Sequence, residues 1–193
     1  MMTDTRSIIA SYEKQFNYYR SLGEKAIAQV SDEQLISHKS VEDNSIAVIV
    51  KHLWGNMRSR WTDFLNSDGE KEWRQRDDEF LLEDYSRKMM IERWDEGWDC
   101  LFSALSELDD SQLTQTIYIR NQGHSVQEAI NRQLAHYSYH VGQIVVLAKQ
   151  CAGENWKSLS IPRNQSAEFN KQKFEQDKHA EHYTDEWTKD DKS

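Results

Sequence analysis

The sequence predicts an all-α protein built as a four-helix bundle. The chain has 193 residues but only one proline and seven glycines, which are too few turn formers for a sandwich or barrel with many short strands. Apolar residues recur at three- and four-residue steps in four long stretches, and this is the period of a helix with one buried face. The length suits one domain with its own core.

The first two predicted helices carry the clearest apolar patterns. The first runs from about Thr5 to Val30 with an apolar residue at nearly every third or fourth position. The second begins near Asn44 and Ser45, both good N-cap residues, and stops at the turn-forming cluster 66–69. Its wide apolar face suits the middle of a bundle.

The third predicted helix follows a long polar stretch. Residues 70–83 are mostly charged, and we interpret them as a surface connection. Loops of that length are uncommon unless they have a function or a short turn of structure of their own. The helix itself runs from Asp84 or Ser86 to about Leu108, and its apolar face is rich in tryptophan and leucine.

The fourth predicted helix has signals at both ends. Residues 114–120 alternate polar with apolar, which predicts a short extended segment or hairpin arm before the helix. Ser125 and Glu128 match a capping box. The helix then runs to about Ala152, and Gly153 suits the position just past its end.

Charge and composition limit the organisation and the partners. We expect a single domain over 1–174 and a charged, flexible tail over 175–193, in which His179 and His182 are expected to be exposed. The net charge of −9 without a basic run argues against a nucleic acid partner. No stretch suits a membrane span or signal peptide, so we expect a cytoplasmic protein.

Three histidines are the candidate functional residues. His136 and His140 are four residues apart on the fourth predicted helix and therefore share one face. Such a pair alone is a weak signal, and a lone histidine such as His52 in an apolar helix is more often a hydrogen-bonded core residue. Together they put central imidazoles on two helices, as bundles do when they build metal sites. The sequence therefore predicts one divalent metal ion on these three residues.

The three histidine ligands limit which metal ions and which reactions are expected. Three imidazoles suit zinc, nickel, copper or iron(II) rather than magnesium or calcium, and three protein ligands leave a position for water or substrate. No glutamate follows His136, so the metalloprotease pattern H-E-x-x-H and its general base are absent, and we assign no catalytic residue. Asn56, Gln133 and Gln143 lie near the histidines and are candidates to orient ligands or a water molecule.

Two segments resemble a known family. His52 followed by Leu-Trp-Gly-Asn, and the run Ala-Ile-Asn-Arg-Gln-Leu-Ala-His-Tyr-Ser-Tyr-His-Val-Gly-Gln-Ile on the fourth helix, resemble the DinB-like superfamily of YfiT-like metalloenzymes. Residues 156–170 resemble the C-terminal signature of one branch whose function is unassigned. The likeness covers roughly 5–174. The chain departs from the branch pattern at Asn164, where a glycine is expected.

The resemblance implies a fold, a metal and a chemistry. It implies a four-helix bundle, often a homodimer, with a nickel or zinc ion on His52, His136 and His140. Characterised relatives use low-molecular-weight thiols such as bacillithiol, mycothiol or glutathione. We therefore expect a metal-dependent thiol S-transferase, or a hydrolase, with a small-molecule substrate. The alternative is a non-catalytic metal-binding or stress-linked interaction protein on the same bundle.

Overall fold

The computed structural model describes residues 7–40, 42–81 and 85–188, and these are mostly helical. The predicted helix starts at Thr5 and Asp84 lie outside the described residues. The elements are α1 (Ile8–Ile27), α2 (Asp32–Leu35), α3 (Ile46–Trp61), α4 (Arg87–Ser106), β1 (Thr116–Ile119), β2 (Gln122–Ser125), α5 (Val126–Ala152), α6 (Ser166–Phe174) and α7 (Asp185–Thr188). The all-α class is confirmed, and the four predicted helices correspond to α1, α3, α4 and α5. None of the helices in the described part combines the length and apolar character that a membrane crossing needs.

The helix ends follow the capping signals of the sequence. Ser45 caps α3, because its hydroxyl accepts the backbone N–H of Val48 at 3.3 Å. Ser125 and Glu128 form the predicted capping box at the start of α5. Gly153 follows the last residue of α5 with φ +56°, a left-handed conformation that glycine adopts without a Cβ penalty.

An aromatic cluster joins the four long helices at the centre of the molecule. Phe16 of α1 lies 6.1 Å from Trp61 of α3, 6.4 Å from Trp98 of α4 and 5.9 Å from Tyr137 of α5, measured between ring centroids. All four side chains are buried. Aromatic pairs in such tilted and edge-to-face arrangements contribute about 0.5–1.5 kcal/mol beyond their buried area, so this cluster fixes how the helices pack.

The predicted extended segment is strand β1 of a two-stranded hairpin. It pairs antiparallel with β2 through Arg120 and Asn121, whose φ angles are +55° and +59°. Positive φ at both central residues is the geometry of the tight hairpin turn that matches strand twist. Asp68, just beyond α3, accepts the backbone N–H groups of both turn residues at 2.8 Å, and this holds the turn against the helices.

The described part of the predicted surface connection, residues 70–81, is mostly exposed, but two of its charged side chains turn inward. The segment includes a short 3₁₀ helix, Asp77–Phe80, and Glu79 is only 5% exposed. The Arg74 side chain is also buried, and it donates to both carboxylate oxygens of Glu79 at 2.8 and 2.9 Å. Residues 82 and 83 lie outside the described part. The connection therefore supplies buried charged groups to the interior.

The segment after α6 runs along α1. His182 lies beside Ser11 of α1, with its Nε2 3.1 Å from the hydroxyl, and Lys14 forms an ion pair with Asp185 at 2.8 Å. The expectation that His182 is exposed is wrong, since it is 6% exposed and Thr184 is fully buried. Side-chain hydrogen bonding between these two residues makes that burial tolerable. The boundary between a domain over 1–174 and a tail over 175–193 stays a prediction.

The departure from the branch pattern at Asn164 has a conformational explanation. Asn164 has φ +67°, in the left-handed region. Glycine reaches this region without strain, and asparagine is among the few other residues that do so routinely. The turn that leads into α6 is therefore compatible with asparagine at this position.

Candidate metal centre

The three predicted histidines converge between α3 and α5. One ring nitrogen from each of His52, His136 and His140 lies within 4.8 Å of the other two. The Nε2 atoms of His52 and His136 are 3.2 Å apart. His140 closes the group, with its ring centroid 4.9 Å from that of His52 and 4.7 Å from that of His136.

A buried hydrogen-bond chain sets the register of α3 against α5. The indole N–H of Trp61 donates to the Tyr137 hydroxyl at 2.9 Å, and Tyr137 donates to Asn56 Oδ1 at 3.0 Å. Asn56 is one helical turn from His52, and Tyr137 adjoins His136. Because buried polar groups are costly to leave unpaired, the chain favours the one register that brings the two histidines face to face.

Glu79 determines which nitrogen of His52 faces the cluster. Its Oε2 lies 2.8 Å from His52 Nδ1, and Arg74 donates to the same carboxylate. Burial alone would raise the pKa of Glu79, but the hydrogen bonds from His52 and Arg74 outweigh burial and hold this pKa below its usual value. The group is therefore a carboxylate, which can only accept. His52 Nδ1 must therefore donate, and its Nε2 faces the cluster.

Burial favours the neutral form of the other two rings. His140 Nδ1 donates to Gln143 Oε1 at 2.9 Å, which leaves its Nε2 as an acceptor. Burial lowers the pKa of His140, and the neighbouring His52 lowers it further. Burial, then the proximity of His140 and His52, lowers the pKa of His136 to about 3. Both rings are therefore neutral near pH 7.

A glycine on α3 makes room for the Glu79 carboxylate. A Cβ placed on Gly55 would overlap Glu79 Oε1. Glycine inside a helix costs about 1 kcal/mol relative to alanine, so the position carries an intrinsic penalty. Here the missing side chain lets a buried carboxylate approach the helix backbone one turn from His52.

The cluster opens into a cavity of about 460 Å³. Its lining is His52, His136 and His140 with Asn56, Gln133, Phe80 and the arginines Arg60, Arg74, Arg76, Arg120 and Arg132. Of the predicted orienting residues, Gln143 bonds to a histidine, while Asn56 and Gln133 line the cavity instead. Gln133 is 3% exposed, and its Oε1 has no hydrogen-bond partner among the described residues.

The donor set fits one transition-metal ion. Three imidazoles suit zinc, nickel, copper or iron(II). Two nitrogens that bind one tetrahedral ion at about 2.0–2.1 Å lie roughly 3.3 Å apart, close to the 3.2 Å between His52 Nε2 and His136 Nε2. A histidine ligand that donates its other N–H to a carboxylate, as His52 does to Glu79, is the common arrangement behind such ligands.

Sequence reasoning missed Glu79 and Arg74. Both lie in the connection after α3, where no apolar periodicity indicates which side chains turn inward. The one available signal was the length of the connection, because long loops in compact domains usually have a function. The inward position of Glu79 depends on its contact with His52 of α3, 27 residues earlier in the chain. Arg74 then pairs with Glu79 from within the same connection.

Fold and site together define a class, a helical protein with a candidate three-histidine metal centre in an arginine-lined cavity. Residues 4–165 match the family described as "Protein of unknown function (DUF1572)", and the chain belongs to that family. No curated protein and no solved structure matches the chain.

Proposed function

We propose that the chain is a DinB-like four-helix-bundle protein that holds one divalent ion, nickel or zinc, on His52, His136 and His140. The observation that carries the proposal is the convergence of three imidazoles on one cavity. The hydrogen bonds of Glu79 and Gln143 support it, since each fixes a ring with its Nε2 free for a ligand bond.

The proposed activity is a metal-dependent reaction of a small molecule, with thiol S-transfer first and hydrolysis second. When bound, the ion supplies Lewis acidity that lowers the pKa of a thiol or water ligand. Glu79 holds the His52 ring, and the cavity is of the size that admits a small substrate. No carboxylate of the described residues lines it. This favours a reaction that needs no carboxylate base from the protein.

The first test is metal content. Untagged wild-type protein is expected to carry about one equivalent of nickel or zinc per chain by elemental analysis. His136→Ala is expected to retain a tenth of that or less, roughly, because two imidazoles bind weakly. His38→Ala is the matched control, since His38 is exposed and lies outside the cavity lining. Full metal content in His136→Ala would remove this residue from the site.

The second test separates an enzyme from the alternative of a non-catalytic metal-binding or interaction protein. Metal-loaded protein is assayed with glutathione, bacillithiol and mycothiol against an epoxide and an alkyl halide, and with ester and amide substrates alone. Turnover by wild type that His136→Ala lacks supports the proposed activity. A metal-bearing protein that turns over none of these supports the alternative.

A further inference from the structure

The cavity over the three histidines is cationic in an otherwise acidic chain. Five arginines line it, and no aspartate or glutamate of the described residues does, whereas the chain has a net charge of −9. A cavity lined by one sign of charge concentrates ligands of the opposite sign. Its arginines therefore favour the entry of anionic substrates.

Two of these arginines are buried together with their ion-pair partners. Arg74 is buried and bonded to Glu79, and it also contacts Glu70 at 3.3 Å. Arg60 is buried, donates to the Gly69 carbonyl and pairs with Glu70 at 2.9 Å. A buried charge needs such compensation. The charges of both guanidinium groups are thus compensated within the protein.

Arg132 differs from both. It lies one helical turn before His136 on the same face of α5. It is exposed, and no carboxylate of the described residues lies within ion-pair distance of it. Its one hydrogen-bond contact is with His124 Nε2 at 3.4 Å. An uncompensated guanidinium at the mouth of a cavity is suited to an external anion.

Two further arginines face the same cavity from other elements. Arg120 lies in the hairpin turn with its side chain 58% exposed and pairs with Glu70 at 3.2 Å. Arg76 lies before the 3₁₀ helix with its side chain 52% exposed, 3.8 Å from the carboxylate of the adjacent Asp77. Arg76 also lies over the Phe80 ring, 5.1 Å from the centroid. Guanidinium groups bind carboxylates and phosphates through paired N–H donors.

Buried groups in the same cavity lack partners. Gln133 is only 3% exposed, and its Oε1 has no hydrogen-bond partner among the described residues. The Nε of Arg60 also has no hydrogen-bond partner among them. Such atoms usually have a hydrogen-bond partner. A ligand with a hydroxyl or amine next to its anionic group would provide the donor that Gln133 lacks.

We propose that this cavity binds a small molecule bearing a carboxylate or phosphate group, which Arg132 binds together with Arg120 and Arg76. The molecule's hydroxyl or amine donates to Gln133, and the rest of it reaches the three histidines. This inference deepens the proposed function and rests on it for the role of the histidines. The arginine contacts themselves need no metal ion.

The test uses inorganic phosphate and succinate as probes in calorimetric titrations of the full-length protein, as purified and after chelation. Wild type is expected to bind at least one probe in both states, and the preferred probe identifies the anionic group. Arg132→Gln is expected to weaken that binding about tenfold, the loss of one charge-assisted hydrogen-bond pair. The affinity of Arg132→Lys for the probe is expected to lie between that of wild type and that of Arg132→Gln.

The matched control is Arg163→Gln, which removes the same charge from an exposed position outside the cavity lining and is expected to bind like wild type. If neither probe binds wild type, or Arg132→Gln binds as tightly as wild type, the proposal is overturned. Metal content is measured on the same samples. If wild type contains no metal but its anion binding depends on Arg132, only the metal proposal is contradicted. If wild type contains metal but Arg132→Gln binds the probes as tightly as wild type, only the anion-binding proposal is contradicted.

Discussion

Glu79 is the residue on which the orientation of His52 depends. It accepts from His52 Nδ1 and from Arg74, and it packs against the bare backbone of Gly55. Removing one partner of a buried ionic group is costly because the other charge stays buried and unpaired. A substitution at Glu79, Arg74 or Gly55 should therefore affect the candidate metal centre by altering the orientation of His52.

The substitution Gly55→Ala tests this contact. The added Cβ would displace the Glu79 carboxylate, so we expect the metal content to fall well below one equivalent. The free energy of unfolding is expected to fall by about 1–3 kcal/mol through overpacking. Elemental analysis and urea titration measure the two effects.

Gly142→Ala is the matched control for that helix position. Nothing lies within 4 Å of a Cβ at Gly142 of α5, so alanine should raise the free energy of unfolding by about 0.5–1 kcal/mol. Its metal content should match that of wild type. If Gly55→Ala instead behaved like Gly142→Ala, Glu79 would not hold His52 as described.

The pKa of His136 predicts how stability depends on pH in metal-stripped protein. Burial, with His140 and His52 nearby, lowers this pKa to about 3 in the folded chain, against about 6.5 when unfolded. As pH falls below about 6.5, the unfolded chain binds a proton that the folded chain does not. The free energy of unfolding therefore decreases on acidification through this window, and His140 acts in the same direction.

The variant His136→Gln removes one of these groups. Between pH 7 and pH 5, roughly the range where a free imidazole titrates, the Tm of wild type should fall more steeply than that of the variant. Calorimetric scans of both proteins after chelation measure the slopes. Parallel slopes would mean that His136 is protonated as readily in the folded chain as in the unfolded one.

At the scale of elements, the helices were predictable and the connections were not. The apolar period and the caps at Ser45 and Ser125 locate α3 and α5 from local sequence alone. A four-residue spacing on a helix also predicts that His136 and His140 share a face. Glu79 comes from a charged connection without periodicity, so only tertiary contacts determine that it turns inward.

The hairpin turn illustrates the same limit. Alternation predicted the extended segment that became β1, but nothing local indicated that Arg120 would face the cavity. Asp68, some fifty residues earlier, holds the turn by accepting two backbone N–H groups. The alternation of polar and apolar residues in β1 does not indicate the position of a side chain that depends on such a long-range contact.

Removing residues 175–193 tests the packing of the C-terminal segment on α1. Loss of the buried His182 and Thr184 and of the Lys14–Asp185 ion pair should lower the free energy of unfolding by about 1–2 kcal/mol, or Tm by roughly 2–8 °C for a chain of this size. Metal content should not change, since the segment lies outside the cavity lining. An unchanged Tm would show that these contacts contribute nothing, and a loss of metal would show a role in the site.

At the scale of the whole molecule, the charges are unevenly distributed. The chain is acidic overall, yet the cavity is lined by arginines. The cavity of about 460 Å³ is of the size that admits a small molecule. The sequence indicated the acidic net charge, but the arginine lining forms only where α3, the connection after it, the hairpin turn and α5 meet. The homodimer that the resemblance implies stays a prediction.

The most direct test of the central claim is anomalous diffraction, at the nickel and zinc edges, from crystals of the untagged protein. The account predicts one ion within about 2.0–2.2 Å of a nitrogen from each of His52, His136 and His140, with His52 Nδ1 still bonded to Glu79. Crystals grown with nickel or zinc present that show no anomalous peak between these rings, or a peak on the exposed His38 instead, would contradict it.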